Sequence, residues 1–451
     1  METYFRTYKI GLDKALKNVL NCWCSQSLFL KGGKMKKLLV AVLACAMVAP
    51  AFAAFDNVQI TGDIQTIGLA VESQGAGNVT VPAAPGPNND LRVAQSRVLL
   101  GVGVDLVEDV QAKLTFAHEW IWGTDTTNGT DINTLETNTL VQEAFVNISN
   151  VFDALEVKVG RQFYGDVNSA VMYFGPTYGY VNYNTPAGVP TISRTTRSLD
   201  GATAQYNGDN LTLTAAYLTL TNDVTGLGPT YAANSVSHIA GLDGIFKAND
   251  NLALQAYVYD VRTRGADTFG FWGVKPTFDI EALKIAAEFA MNYGAVEKGY
   301  LVKADVALPL EMEKANFTPR ATYLQIGKGF SAYGNYRPGL MFGTLLANDI
   351  DTTVPNTTTG YDVTNLGVDR LEVINVGLCM KFAGAERWGF GLDFYRAKSE
   401  GQFIGNSWEA KVIYNHNEYV SFNLTGALLN GVGQKLSEAP VAGQLGMNIK
   451  F

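Results

Sequence analysis

Gln444-Leu445-Gly446-Met447-Asn448-Ile449-Lys450-Phe451 closes the chain. Leu445, Met447, Ile449 and the terminal Phe451 share one parity, and Gln444, Asn448 and Lys450 share the other. Successive side chains of a strand point to opposite faces, so this stretch reads as a strand with one apolar and one polar face. Working back from it, the same unit recurs as far as residue 57, and the breaks between units are by turns very short and long. A sheet can cross lipid only if every backbone group is paired and no edge is left free. Alternating strands joined alternately by tight turns and long loops therefore predict an all-β fold, a transmembrane antiparallel β-barrel with short periplasmic turns and long extracellular loops.

Eighteen strand-like segments can be counted: 57–71, 91–107, 111–122, 139–149, 154–164, 197–207, 210–221, 236–248, 251–263, 268–279, 282–293, 299–310, 315–327, 368–383, 386–398, 405–416, 419–430 and 439–451. Sixteen strands is the alternative closure. Turns are read at Glu108-Asp109-Val110, Gly208-Asp209, Asn249-Asp250, Gly384-Ala385 and Asn417-Glu418, and long breaks at 72–90, 123–138, 165–196, 222–235 and 328–367. An even strand number places both ends of the barrel on the periplasmic side, and closure pairs 439–451 with 57–71. In 386–398, Trp388, Phe390, Leu392 and Phe394 oppose Arg387 and Asp393; in 405–416, Trp408, Ala410, Val412 and Tyr414 oppose Glu409 and Lys411. The apolar parity is assigned to lipid and the polar parity to a water-filled lumen.

The N-terminal region reads differently. Met35-Lys36-Lys37 opens a secretory signal, followed by the apolar run Leu38–Val48 and by Ala51-Phe52-Ala53, which predicts cleavage between Ala53 and Ala54. Residues 35–53 are thus a signal peptide and 54–451 the barrel. Val42-Leu43-Ala44 before Cys45 is a poor lipobox. Residues 1–34 have no role upstream of a signal, and Gly32-Gly33 just before Met35 is what a translated ribosome-binding site yields. They read as an extension contributed by the gene model. Removing 1–53 takes eight of the 34 basic residues and two of the 42 acidic ones, leaving 26 against 40 and a net charge of −14. Such a balance argues against nucleic-acid partners. Cys379 is the one cysteine left, so no disulfide framework or cysteine metal site is available.

Catalysis finds no support in the residues. His118, His238 and His416 are the only histidines, and none shares a face with a serine and an acid. Asn348-Asp349-Ile350-Asp351 reads as a solvated acidic loop rather than a calcium site. No cofactor or nucleotide motif is visible, and the chain reads as a non-enzyme. Charge collects instead on the lumenal parity, with signs mixed: Arg97, Glu119, Glu143 and Arg320 are candidates for the constriction.

The most distinctive stretch is 143–201. Gly160-Arg161-Gln162-Phe163-Tyr164-Gly165-Asp166 leads into a loop with Tyr173, Tyr178, Tyr180 and Tyr183, and Arg194-Thr195-Thr196-Arg197-Ser198-Leu199-Asp200-Gly201 follows. This resembles the alginate-export family of outer-membrane proteins, in which a glycine-arginine-glutamine strand end leads to a Tyr-Gly-Asp element and an Arg precedes an Asp-Gly strand start. The hairpin Ser407–Asn430, turning at Asn417-Glu418, is similar to that family's C-terminal hairpin. The resemblance covers residues 90–451 and implies an eighteen-stranded barrel with an Arg-lined constriction, monomeric, with a trimer as the alternative. Arg161, Asp166, Arg194 and Arg197 then join the constriction. Strict alternation sends Arg161 outward with Val157 and Val159, so either a bulge re-aims it or the strand has left the hydrocarbon there.

The leading functional reading is an outer-membrane channel of the porin class for passive diffusion of small hydrophilic solutes or ions. The alternatives are selective export or uptake of an acidic saccharide along Arg97, Arg161, Arg194, Arg197 and Arg320, and a structural or adhesive barrel. The implied partners are outer-membrane lipid and lipopolysaccharide, the barrel-assembly machinery that reads Phe451, and hydrophilic solutes or saccharides. Loop 165–196 is long and rich in tyrosine, and is expected to fold into the lumen.

Overall fold

The computed structural model describes residues 56–72, 91–122, 140–167, 169–176, 181–182, 191–192, 198–221, 236–263, 268–280, 283–294, 299–327, 330, 332, 370–399, 402–430 and 441–451. The predicted signal peptide, with Ala53 and Ala54, lies outside the described residues, as do Arg194 and Arg197.

Eighteen strands form one sheet: β1 (Asp56–Glu72), β2 (Leu91–Val107), β3 (Val110–Ile121), β4 (Leu140–Val151), β5 (Leu155–Gln162), β6 (Leu199–Asn207), β7 (Leu211–Thr221), β8 (Val236–Asn249), β9 (Leu252–Thr263), β10 (Phe269–Ile280), β11 (Leu283–Gly294), β12 (Tyr300–Ala307), β13 (Ala315–Gly327), β14 (Arg370–Phe382), β15 (Trp388–Ser399), β16 (Gln402–Asn415), β17 (Val420–Asn430) and β18 (Val441–Lys450). Each strand pairs with the next, and β18 pairs antiparallel with β1, from Asp63 opposite Lys450 to Glu72 opposite Val441. The sheet is closed. Strand limits follow the sequence reading closely. One exception is the segment 299–310, which breaks after Ala307 and resumes at Leu310–Glu311. Pro309, which has no backbone N–H to donate to a ladder, sits in the break.

The tight turns owe their shape to local side-chain chemistry. Asn249 accepts the Asn251 amide at 2.9 Å, and Asn417 accepts those of Tyr419 and Val420 at 2.9 and 2.7 Å. These are short polar side chains standing in for backbone acceptors at a reversal.

Closure leaves an apolar outer face. Leu242, Phe246, Leu254, Trp272, Phe278, Val376, Leu392, Trp408, Leu424 and Leu445 are all exposed on it. At the turn-bearing end, aromatic rings meet from strand to strand: Phe317 with Phe382, Phe382 with Phe390, Trp388 with Tyr414, and Tyr414 with Phe422. Aromatic girdles of this kind mark the edge of the hydrocarbon. Along β15, eight residues separate Trp388 in this girdle from outward-facing Arg396, roughly 26 Å at ~3.3 Å per residue. With strands tilted about 35–45° from the membrane normal, this covers roughly 20 Å of depth, most of an apolar band about 25 Å tall.

The inner face departs from the simple polar-in expectation. Leu199, Leu218, Ile239, Val261, Phe271, Leu301, Ile326 and Val373 point inward yet are fully buried. They sit near the loop-bearing ends of β6 to β14. Segments of two long loops cover them: Ala170, Val171, Met172 and Phe174 from the connection after β5, and Phe330 and Ala332 from that after β13. Here both faces of a strand are apolar, one toward lipid and one toward an internal core.

Candidate functional site

Below that internal core the lumenal wall carries paired charges. Arg97 on β2 is 5% exposed and donates to Asp63 on β1 at 3.1 Å. Glu143 on β4 is held by Lys113 at 2.8 Å and by the Thr115 hydroxyl at 2.7 Å. A register shift between Thr115 and Phe116 lets both Gln142 and Glu143 lie buried. Lys303 pairs with Asp305 at 2.8 Å. Arg320 on β13 makes a two-pronged contact with Asp393 on β15, at 3.2 Å from Nε and 2.6 Å from Nη2. Glu119 stands opposite Arg97 in the β2–β3 ladder, and its side chain lies outside the described residues.

The segment after β5 enters the barrel and bonds to this wall. Tyr164 Oη lies 3.0 Å from Tyr259 Oη on β9. Asp166 accepts from Lys275 Nζ on β10 at 3.1 Å. The Ala170 amide donates to Glu288 Oε2 on β11 at 3.4 Å, and Glu288 also accepts the Tyr257 hydroxyl at 2.9 Å. Asp243 on β8 takes Gln255 at 2.7 Å and Tyr259 at 3.3 Å. The Tyr173 hydroxyl donates to the Pro176 carbonyl at 2.8 Å. Burial pushes its phenol up, the Arg97 charge works against that, and Asp166 adds to the rise. The segment is thus hydrogen-bonded to β9, β10 and β11 while Tyr173 lies within electrostatic reach of β2. Of the expected loop tyrosines, Tyr178, Tyr180 and Tyr183 lie outside the described residues.

Arg161 is placed apart from the other charges. It stands opposite Asp200 in an unbroken β5–β6 register and pairs with it at 2.8 Å through both Nε and Nη2. Its neighbours Lys158 and Gln162 belong to the inner parity, and Gln162 takes the inward Thr203 hydroxyl at 3.1 Å. Arg161 therefore shares the outer face with Val159, which is 52% exposed. No bulge re-aims it; the charge is balanced by Asp200 and by a bond to the Val141 carbonyl at 3.1 Å. The motif's glycines have a separate cause. Gly160 and Gly201 face each other with φ of 129° and 156°, and a Cβ on either would collide with the neighbouring strand's backbone.

Four side chains were missed from sequence: Asp63, Lys275, Tyr257 and Tyr259. The available signal was a run of aromatic residues on the inward parity, Tyr257 and Tyr259 on β9 and Phe269 and Phe271 on β10, behind an outward face that is itself apolar at Val258 and Trp272. Of the three histidines, His118 lies against Trp120, His238 against Tyr217 and His416 against Tyr414. Among the described residues no cluster of His, Cys, Asp or Glu could hold a metal.

Solved structures share this architecture. OccAB1 of Acinetobacter baumannii aligns over 89% of this chain and 98% of its own, with a TM-score of 0.55 and 10% identity. OpdO of Pseudomonas aeruginosa aligns over 88% and 97%, with a TM-score of 0.51 and 12% identity. A BenF-like porin from Pseudomonas fluorescens Pf-5 aligns over 88% and 100%, also with a TM-score of 0.51 and 12% identity. No protein-family model matches the chain, and no curated protein does. What is common is the fold. With its closed sheet and apolar outer face, it is that of an integral β-barrel of the bacterial outer membrane.

Proposed function

We propose that this protein is a passive outer-membrane channel for small hydrophilic solutes, with its constriction at the segment 164–174. The observation that carries this is the loop root held against Tyr259, Lys275 and Glu288 inside a wall of paired charges. A closed barrel with a hydrated, charged interior offers a path that lipid does not. Transport is downhill, since nothing in the described chain resembles an energy-coupling element. Asp63, Arg97 and Tyr173 form one side of the eyelet, and Asp166, Lys275 and Glu288 the other. We assign Arg194, Arg197 and Glu119 to its approaches on sequence position alone.

The charge pattern favours small solutes over a long polyanion such as an alginate-like polymer. Arg97, Arg161 and Arg320 each carry a carboxylate partner, and Arg161 lies on the outer face. Pairing cancels most of the attraction that a cationic track would need. Reconstitution into planar bilayers tests the proposal. Stepwise single-channel currents, unaffected by micromolar acidic oligosaccharide, are the expected result. A barrel that inserts and passes no current would leave only the structural or adhesive reading.

A further inference from the structure

At its loop-bearing end the outer face changes character. Outward side chains that are apolar along the strand become polar: Arg161 with Asp200, and Arg262 with Asp260 at 2.9 Å. Both of these cations are neutralised by a carboxylate. Arg396 and Lys398 on β15 are different. They lie two residues apart on the outward parity, since Asp393, Tyr395 and Ala397 are buried on the inward one. Neither makes an ion pair among the described residues, and Glu372, opposite Lys398 in the ladder, is the facing anion. Among the described residues, two cations face one carboxylate at this level.

The surface beneath them is apolar and open. Arg396 lies over the Phe403 ring, 5.3 Å from its centroid. Phe403 is 37% exposed, Trp408 50% and Leu392 45%, and Phe394 packs on Trp408 with centroids 4.7 Å apart. Arg396 thus stands over an exposed aromatic shelf, with Lys398 beside it, toward the loop-bearing end of the outer face. A cation is strongly favoured beside phosphate oxygens, and the shelf is the kind of surface acyl chains cover.

We propose that Arg396 and Lys398 bind the phosphorylated headgroup of an outer-leaflet lipid, with its acyl chains on Phe403 and Trp408. This rests on the outer-membrane reading but not on the channel reading. The full-length barrel, folded in detergent, is titrated with diphosphorylated lipid A and with phosphatidylethanolamine, and adducts are counted by native mass spectrometry. Lipid A should be retained and phosphatidylethanolamine should not. Arg396→Gln with Lys398→Gln should weaken lipid A binding by about tenfold or more, the scale of two lost charge-assisted contacts. Arg396→Lys with Lys398→Arg should restore it, and Arg262→Gln should leave it unchanged. Heat-modifiable migration on SDS gels checks that each variant is folded. Undiminished lipid A binding in the double glutamine variant overturns the proposal. So does inorganic pyrophosphate competing as strongly as lipid A, which would mark a site for free anions. Conductance measured in parallel keeps the two readings apart: a silent barrel that still binds lipid A refutes the channel alone.

Discussion

Arg320 and Asp393 belong to β13 and β15, and their ion pair spans the strand between them by passing over Gly377. Gly377 is opposite both residues in its two ladders, and a Cβ there would collide with Asp393 Oδ1 and lie 2.9 Å from Arg320 Nε. The pair is thus built by an absent side chain. Asp393 is 7% exposed and also takes Asn375 Nδ2 at 3.3 Å.

Gly377→Ala should therefore separate the pair without removing either charge, and Arg320→Ala should leave Asp393 unbalanced in the lumen. A single charge ~7 Å from the ion path contributes about 0.6 kcal/mol in water, roughly threefold in a permeability ratio. Arg320→Ala should shift the reversal potential in a salt gradient toward cation preference by that order. Gly377→Ala should shift it less. Equal reversal potentials in wild type and Arg320→Ala would remove this pair from the selectivity mechanism.

Deletion of residues 168–190 should raise single-channel conductance severalfold if the inward segment sets the constriction. Asp166→Asn and Lys275→Met, which cut the 3.1 Å root contact, should instead increase open-channel noise with little change in mean current. A deletion that leaves conductance within about a fifth of wild type places the narrow point among wall residues such as Arg97 and Arg320.

Phe451 closes the seam. Its carbonyl accepts the Gly62 amide at 2.7 Å, its amide donates to the Gly62 carbonyl at 3.0 Å, and its ring occupies the space a side chain at Gly62 would need. Deleting Phe451, or replacing Gly62→Leu, should lower the yield of folded barrel in outer-membrane fractions. Channels that do insert should conduct normally. Unchanged yield for both variants would separate the seam from assembly.

Gly160→Val and Gly201→Val each force a β-branched residue to a positive φ against a neighbouring carbonyl. Such backbone strain costs about 1–3 kcal/mol before the collision is counted. The temperature at which the barrel loses its fast SDS-gel mobility should fall for both. Gly443→Ala, where a Cβ meets nothing within 4 Å, is the control and should be neutral.

Much of this architecture is legible in the chain because strand alternation is a local property. Trp388, Phe390, Leu392 and Phe394 announce a lipid face whatever lies beyond it, and Asn249 and Asn417 announce their turns. Arg161 shows the same rule at work: parity put it outside, and the register with Asp200 keeps it there. Alternation could not report the second apolar surface. Phe269, Phe271, Val261 and Leu301 follow the inward parity, and from sequence alone an inward hydrophobe is simply an exception to the pattern.

By itself the sequence determined the class of fold, the order of its strands, which parity meets lipid and that the last strand meets the first, because each follows from period-two patterning and from the need to leave no edge in a membrane; between eighteen and sixteen strands the structure decided. Only the tertiary structure decided which charges pair and what fills the lumen. Arg320 finds Asp393 because β13 and β15 flank a glycine, and Asp166 finds Lys275 because a loop turns back through space toward strands far along the chain. Contacts of that kind depend on barrel curvature and loop path, and no periodicity along the sequence encodes either.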